Sequence, residues 1–200
     1  MKVLLTAFEP FDNTAWNASL EGCRQFLTQV GGHADLRFVV LPVAFGPDVT
    51  AVEAALDGWP AEVILHTGQA GGSPAVRVER LAVNVRYALD DPGVDPDAQH
   101  PIDADGPMAM ASTVPIGRIV SAIRGSGVPA VVSNHAGIYL CNHALYHSLR
   151  RAERSQHTRQ VGFLHVPRLP QQVVAGEPSM PAEAVARAVH ATLTCLCDNQ

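Results

Sequence analysis

Five short apolar runs, separated by segments with helical spacing, most strongly limit the folds open to this chain of 200 residues. Each run is rich in leucine and β-branched residues, and most are nearly continuous rather than alternating. Strands of that kind are buried on both faces of a sheet, which is the usual setting of parallel strands. The runs are residues 2–8, 36–43, 61–68, 129–134 and 161–167. They predict the strands of one mostly parallel sheet.

Apolar residues at helical spacing fill the intervals between these runs. They predict helices over residues 17–30, 47–57, 115–124, 141–152 and 181–196. Strand and helix therefore alternate through most of the chain, which favours a layered α/β fold. A 200-residue chain that is 47% apolar can bury one substantial core, and no internal repeat or interdomain linker divides it. We expect a single domain over residues 1–200.

Two regions interrupt this alternation. Residues 76–87 have the pattern of an exposed, strand-like hairpin, whereas residues 90–107 read as a long acidic loop rich in Pro and Gly. Loops of that length in compact domains are usually functional or mobile.

The charge balance limits the partners of the chain. A net charge of −5 and a pI near 5.9 argue against binding to nucleic acid or to an anionic membrane surface. No apolar run approaches the roughly 20 residues that a membrane-spanning helix needs, and the amino-terminal residues lack the features of a signal peptide. We expect a cytoplasmic protein with no membrane partner, whose four cysteines are thiols.

Cys141 is the strongest candidate for a chemical role. It follows a predicted strand and a turn at residues 136–137, and it opens a predicted helix. Free backbone N–H groups and the positive end of the helix dipole favour a thiolate there and could stabilise an oxyanion. We therefore expect a thiol pKa below the ordinary value of about 8.5. Inert packing is the competing interpretation, because a lone cysteine among apolar residues is usually structural.

Two further residues could complete a nucleophilic site. His165 lies near the end of a predicted strand, and the ends of parallel strands meet at the sheet edge where Cys141 emerges. An imidazole there could deprotonate the thiol and later protonate a leaving amine. Glu79, in an alternating stretch after a Gly-rich turn, could accept the second ring N–H and orient the imidazole. Taken singly, an exposed strand-end histidine and a solvated glutamate are the more common interpretations.

Metal and nucleotide sites find little support in the pattern. His143 and His147 share a helix face, but Cys141 lies on another face and no zinc motif is present. We expect both histidines to be surface or capping residues, and we expect no metal. The Gly-rich turn at residues 68–72 lacks the frame of a phosphate-binding loop. It favours close approach of a small ligand to the backbone instead.

Five stretches, in this order, resemble the pyroglutamyl-peptidase I family, also called pyrrolidone-carboxylate peptidases. They are TAFEPFDNTAWNAS, HTGQAGGSPAVRVERLAVN, DADGP, SNHAGIYLCNH and GFLHVPRLPQQ. The resemblance covers nearly the whole chain and implies a three-layer α/β/α sandwich around a twisted, mostly parallel sheet. It also implies a cytosolic cysteine peptidase that removes an amino-terminal pyroglutamyl residue from peptides. Members of the family are often homotetramers and need no metal or organic cofactor.

The same resemblance implies roles for individual residues. The family's nucleophile falls on Cys141, its histidine on His165 and its glutamate on Glu79, the three residues that the pattern itself had indicated. Six further positions would bind the substrate, the two phenylalanines by enclosing its ring. These positions are Phe8, Phe11, Asn17, Gln69, Tyr139 and Leu140.

The chain departs from the family pattern at several positions. Ala7 and the pair at 12–13 (Asp-Asn) stand where Gly is usual, and His135 stands where Thr is usual. A family arginine that helps to shape the active site aligns with Leu89, and Arg86, three residues earlier, is a candidate replacement. We expect these changes to affect rate or specificity rather than to abolish activity.

Three other functions stay open at this level. One is a cysteine amidase that uses the same three residues on a different substrate. Another is a binding protein whose catalytic site has been silenced by the departures from the family pattern. A zinc-dependent hydrolase is the third and is the least supported by the residue spacing.

Overall fold

The computed structural model describes residues 1–31, 34–86 and 100–198. They contain a six-stranded sheet with helices on both faces, together with a separate two-stranded sheet. The strands are β1 (Val3–Phe8), β2 (Leu36–Leu41), β3 (Val63–Gln69), β4 (Val76–Glu79), β5 (Leu81–Val83), β6 (Ala109–Ala111), β7 (Ala130–Ser133) and β8 (Gln160–Val166). The helices are α1 (Ala18–Val30), α2 (Pro47–Leu56), α3 (Ile116–Gly125), α4 (Leu140–Arg154) and α5 (Ala182–Cys197).

The main sheet has the strand order β2-β1-β3-β8-β4-β7. Every neighbouring pair is parallel except β4 and β8, which are antiparallel. One apolar cluster packs α1, α3 and α5 against one face, and a second cluster packs α2 and α4 against the other. The prediction of an α/β/α sandwich around a mostly parallel sheet is confirmed.

The burial of β1 explains why the strand runs are continuously apolar. All six of its side chains are buried. Val3, Leu5 and Ala7 belong to the first cluster, whereas Leu4 and Phe8 belong to the second. A strand covered on both faces has no position that favours a charged residue, so the alternation typical of a half-exposed strand is absent.

The predicted helices are present, with bounds that differ from those expected by one or two residues. Helix α1 begins after Asn17, whose side-chain oxygen accepts a hydrogen bond from the N–H of Ser19. Such a bond satisfies one of the amide groups that a helix start leaves without an internal partner. In the described ranges, no helix has both the length and the apolar character needed to cross a bilayer.

The prediction of an exposed hairpin at residues 76–87 is wrong. β4 lies inside the main sheet between β8 and β7, and Val76 and Val78 are fully buried in the first cluster. Arg77 and Glu79 point to the opposite face, because side chains alternate along a strand. The polar residues that suggested an exposed strand therefore face the candidate site. β5 does not form a hairpin with β4 but pairs with β6.

The long loop predicted at residues 90–107 is described only from residue 100 onwards. There, the buried side chain of Asn84 donates hydrogen bonds to the carbonyl groups of Asp103 and Gly106 and accepts one from the N–H of Asp103. These bonds attach residues 103–106 to the end of the small sheet. Leu89 and the expectation attached to it lie outside the described residues.

Candidate active site

His165 and Glu79 form a buried hydrogen-bonded pair. His165 lies on β8 and Glu79 ends β4, the antiparallel neighbour of β8. Nδ1 of His165 is 2.7 Å from Oε1 of Glu79, and both side chains are almost completely buried. An ionised carboxylate can only accept, so Nδ1 carries the proton. The bond fixes the ring and leaves Nε2 to act on a neighbouring group.

Gly68 shows where the sulfur of Cys141 lies. A Cβ atom on Gly68 would be 2.8 Å from Sγ of Cys141 and 2.8 Å from Cζ of Phe163. Gly68 is the register partner of His165 in the parallel β3/β8 pair, so their side-chain positions share one face of the sheet. The ring of Phe163 in turn lies 4.6 Å, between centroids, from the ring of His165. The thiol therefore stands on the same face as the imidazole and next to it.

The start of α4 holds Cys141 in this position. Cys141 is the second residue of the helix, and the first helical hydrogen bond is donated by the N–H of His143 to Tyr139. The N–H groups of residues 140–142 precede that bond and carry the positive end of the helix dipole. Buried Asn142 anchors this turn, because its side chain hydrogen-bonds both the N–H and the carbonyl of Val83. An oxyanion at the scissile carbonyl would meet these N–H groups.

The expectation of a lowered thiol pKa for Cys141 is wrong for the free site. Burial, and then the negative charge of Glu79, raise the pKa of Cys141 to about 12. The backbone N–H of Cys141 and the charge of Arg77 lower it, but by less. The free-energy cost of removing a thiolate from water exceeds the stabilisation that the start of the helix gives to its charge. A raised pKa keeps the resting thiol protonated, so a nucleophilic role for Cys141 would require a neighbouring base to accept its proton.

The residues predicted to bind the substrate differ in exposure. Phe8 is 4% exposed and packs with Leu140 in the second cluster, whereas Phe11 is half-buried. Tyr139 is 44% exposed and immediately precedes the helix that carries Cys141. Of these four predicted contacts, Phe8 and Leu140 are therefore buried in the core, whereas Phe11 and Tyr139 are accessible.

The side chains of Asn17 and Gln69 are occupied by the protein itself. Asn17 is fully buried, and its amide group donates to the carbonyl of Glu9 while its oxygen caps α1. Oε1 of Gln69 accepts from the N–H of Ala18, the first residue of α1. Both residues fix the segment that carries Phe11, and Gln69 would face a ligand through its backbone.

Two departures from the family pattern have a structural explanation. Asp12 and Asn13 have φ values of 56° and 54°, in the left-handed region that favours glycine. Asp and Asn tolerate that region better than other residues with a side chain. The turn after β1 therefore keeps its backbone geometry without glycine. Exposed His135 accepts a hydrogen bond from the N–H of Gly137 within its own turn.

The prediction that His143 lies on the surface or caps a helix is wrong. Its side chain is 7% exposed, and Nδ1 is 2.7 Å from Oδ2 of fully buried Asp48. The other oxygen of Asp48 accepts from the N–H of Gly46 at the start of α2. The pair joins α2 to α4 behind the thiol. Within the described ranges, His, Cys, Asp and Glu side chains do not converge in threes as a metal site would need.

Phe45 lies beside the segment that leads to Cys141, although no sequence pattern selects it. Its ring meets the ring of Tyr139 edge-on, with 5.6 Å between centroids, and the ring of His143 at 5.0 Å. The guanidinium carbon of Arg86 lies 5.5 Å from the centre of the same ring. Arg86 is therefore next to the segment that precedes Cys141, where a cation could face a bound ligand. No motif contains Phe45, which follows β2 in an irregular turn.

The fold and the site together define a class of protein. A thiol at the start of a helix, beside a buried imidazole–carboxylate pair at one edge of an α/β sandwich, is the arrangement of a cysteine hydrolase. The family model for pyroglutamyl peptidase matches residues 1–199. The chain belongs to the pyroglutamyl peptidase family, and so to the cysteine peptidases.

Individual relatives agree with this assignment. The chain is 40% identical to pyrrolidone-carboxylate peptidase 1 of Photorhabdus laumondii, over 98% of this chain and 93% of the relative. It is 40% identical to the pyrrolidone-carboxylate peptidase of Escherichia fergusonii, over 96% and 90%. Among solved structures, the pyrrolidone carboxyl peptidase of Fervidobacterium islandicum superimposes with a TM-score of 0.90 at 32% identity, over 99% of both chains. Pyroglutamyl peptidase I of Bacillus amyloliquefaciens gives 0.85 at 32% identity, over 96% and 94%.

Proposed function

We propose that this protein hydrolyses the amide bond after an amino-terminal pyroglutamyl residue, with Cys141 as nucleophile, His165 as acid and base, and Glu79 as the residue that orients His165. The observation that carries the proposal is the buried 2.7 Å bond between His165 and Glu79, on the face of the sheet where Cys141 begins α4. Family membership supplies the substrate class.

The pocket favours a blocked amino terminus over a free one. The lactam of pyroglutamate is flat and uncharged, so it can lie against Phe8 and Phe11 and leave its N–H and C=O to backbone groups near Gln69 and Leu140. A buried amide group without a partner costs about 1–3 kcal/mol. An ordinary amino terminus would bury an ammonium group against the same apolar walls, at a much larger cost. Selectivity follows from that difference.

Acylation begins from a neutral thiol. Sγ of Cys141 attacks the scissile carbonyl carbon while Nε2 of His165 accepts the thiol proton, and the carbonyl oxygen becomes an oxyanion near the N–H of Cys141. Glu79 stabilises the imidazolium that forms. The imidazolium then donates its proton to the leaving nitrogen as the C–N bond breaks, leaving a pyroglutamyl thioester.

Deacylation repeats these roles with water. His165 accepts a proton from a water molecule whose oxygen attacks the thioester carbon. Collapse of the second tetrahedral intermediate breaks the C–S bond, releases pyroglutamate and returns the proton to sulfur. Cys141 and His165 together therefore account for every proton transfer in the proposed cycle.

A panel of amides with one chromogenic leaving group tests the substrate class. We expect kcat/KM for the pyroglutamyl amide to exceed that for the prolyl amide and for the glutaminyl amide with a free amine by at least about 100-fold, because the pocket must pair a lactam and exclude an ammonium. Comparable values for the prolyl amide would favour a different cysteine amidase. Binding of pyroglutamate without turnover of any amide would favour a silenced binding protein.

We further propose a cytoplasmic homo-oligomer, a tetramer as the family resemblance implies, built from one domain over residues 1–200. All four cysteines are free thiols, the form that a reducing compartment maintains. Light scattering tests the assembly, with about 85 kDa expected for four chains of 21.3 kDa. A mass of one chain at working concentration would refute the tetramer.

A further inference from the structure

Arg77 stands beside the proposed catalytic residues although no part of the proposed chemistry uses it. In the antiparallel β4/β8 pair, Arg77 is the direct register partner of His165. It also lies two residues before Glu79 on β4, so Arg77 and Glu79 share one face of the sheet. Directly opposed residues in such a pair have Cβ atoms about 5 Å apart. Three ionisable side chains are thus adjacent on this face.

The contact between Arg77 and Glu79 is an ion pair without a hydrogen bond. Nε of Arg77 is 3.8 Å from Oε1 of Glu79, the oxygen that also binds His165. Nε of Arg77 and Oε2 of Glu79 are both buried, and neither has a hydrogen-bond partner among the described residues. Arg77 is the one Lys or Arg that pairs with Glu79 in the described part of the chain. Its side chain is 33% exposed, so its charge is only partly screened by solvent.

Glu79 has two opposing effects on the reaction. It orients His165 and stabilises the imidazolium, but its negative charge also raises the pKa of Cys141, second only to burial. A thiolate forming next to a buried carboxylate meets a like charge in a medium of low polarity. The charge of Arg77 acts on Cys141 in the opposite direction.

Few other charges face this group. β7, on the far side of β4, contributes no titratable side chain, and α2 and α4 contribute a pair that is already bonded to itself, Asp48 with His143. His66 on β3 is bonded to Thr6 and Ser148. Among the residues that the structure describes, the titratable and charged groups named around the site are Arg77, Glu79, His165, Cys141, Asp48, His143 and His66, with Arg86 over the ring of Phe45.

We propose that Arg77 is a positioning residue of the candidate site, whose guanidinium offsets the charge of buried Glu79 so that the carboxylate can orient His165 without opposing ionisation of Cys141. The role of Arg77 in turnover rests on the proposed function. The effect of Arg77 on the sulfur of Cys141 does not depend on any substrate. Arg77 itself transfers no proton and forms no bond to the substrate.

Alkylation of Cys141 by iodoacetamide measures this effect directly. Mass spectrometry of the peptide that contains Cys141 gives the rate at that sulfur alone, from pH 6 to 10. We expect Arg77→Gln to lower the rate at a given pH about three- to tenfold and to move its rise to higher pH, because a nearby positive charge is lost. Arg77→Lys keeps the charge and should lose at most about twofold. Arg118→Gln, an exposed change on α3 across the sheet, is the matched control and should change nothing.

Turnover of a pyroglutamyl amide gives the second readout. We expect Arg77→Gln to lower kcat with the same pH dependence as the alkylation rate, and to leave KM for this uncharged substrate nearly unchanged. Arg77→Lys, which keeps the positive charge, should retain most of the kcat. Equal losses in the Gln and Lys variants, independent of pH and parallel to a lower Tm, would mean a purely structural role and overturn the proposal. A rise in KM confined to peptides with a free carboxylate would also overturn it, since Arg77 would then bind substrate.

The two readouts separate this inference from the proposed function. If the unmodified protein cleaves no pyroglutamyl amide but alkylation of Cys141 still depends on Arg77 as expected, the proposed function fails and the inference stands. If turnover is normal and alkylation is the same with Gln or Arg at position 77, the inference fails and the proposed function stands.

Discussion

At the scale of single residues, Gly68 limits the space around the thiol of Cys141, the proposed nucleophile. A side chain there would put a carbon 2.8 Å from both Sγ of Cys141 and the ring of Phe163. Carbon and sulfur atoms do not approach that closely without contact strain, so one neighbour would have to move. Phe163 is fully buried, which leaves the thiol as the group that is displaced.

We therefore expect Gly68→Ala to reduce kcat/KM on a pyroglutamyl amide by about 100-fold, because a displacement near 1 Å at the reacting atom can cost that much. Gly162→Ala is the matched control. Its new Cβ would meet Val114 at 2.8 Å, a similar overpacking in β8 but far from Cys141. Both variants should lose about 1–3 kcal/mol of stability. Equal activity in the two variants would show that the thiol does not occupy the space above Gly68.

The site residues differ in whether they can be predicted from the sequence. Cys141, His165 and Glu79 stand in recognisable motifs, but the expectation that the strands before Cys141 and at His165 end at the same sheet edge is wrong. β7 is parallel to β4, and β4 is antiparallel to β8, so β7 and β8 run in opposite directions. Arg77 and Phe45 could not be selected, because their importance depends on the register of β4 and on a turn after β2. The pKa of Cys141 was mispredicted because a helix end is recognisable in a sequence, whereas the depth of burial is not.

At the scale of elements, His66 is the junction of β1, β3 and α4. Its ring nitrogens bond Thr6 on β1 and Ser148 on α4, at 2.7 Å and 2.8 Å. The side chain is fully buried, and burial lowers the pKa of His66 from 6.5 to about 4, against a smaller opposing effect of Asp48. The folded protein therefore keeps this ring neutral where the unfolded chain would protonate it.

This difference predicts acid sensitivity. Between about pH 6.5 and pH 4 the unfolded state binds a proton that the folded state excludes, so stability from His66 is complete above pH 6.5 and falls as pH falls. The loss is about 1.4 kcal/mol per pH unit. We expect His66→Gln to shrink the difference in unfolding free energy between pH 8 and pH 5 by about 2 kcal/mol.

Urea unfolding at the two pH values measures this difference. His157→Gln removes an exposed histidine in the segment between α4 and β8 and is the matched control, with no expected change. Parallel losses in the unmodified protein and in His66→Gln would place the acid sensitivity elsewhere.

Among the elements, β4 differs most from its prediction. The four residues of β4 alternate like an exposed strand, because one face of that strand meets the core and the other meets the site.

At the scale of the whole molecule, the sheet order assembles the site. Residues 79, 141 and 165 come from β4, α4 and β8, and the antiparallel pairing of β4 with β8 brings Glu79 to His165. The alternation of strands and helices predicted a layered sheet, but not that two strands, β4 and β7, run opposite to the other four. Antiparallel pairing depends on long-range contacts that leave no local pattern.

We propose that this sheet serves a thiol nucleophile acting on a pyroglutamyl amide. The most direct test of this proposal is the release of a chromogenic amine from that substrate by the unmodified protein and by Cys141→Ala, with Cys197→Ala, an exposed cysteine at the end of α5, as control. We predict steady turnover for the unmodified protein and for Cys197→Ala, and none above background for Cys141→Ala. Near-normal turnover by Cys141→Ala would contradict the account.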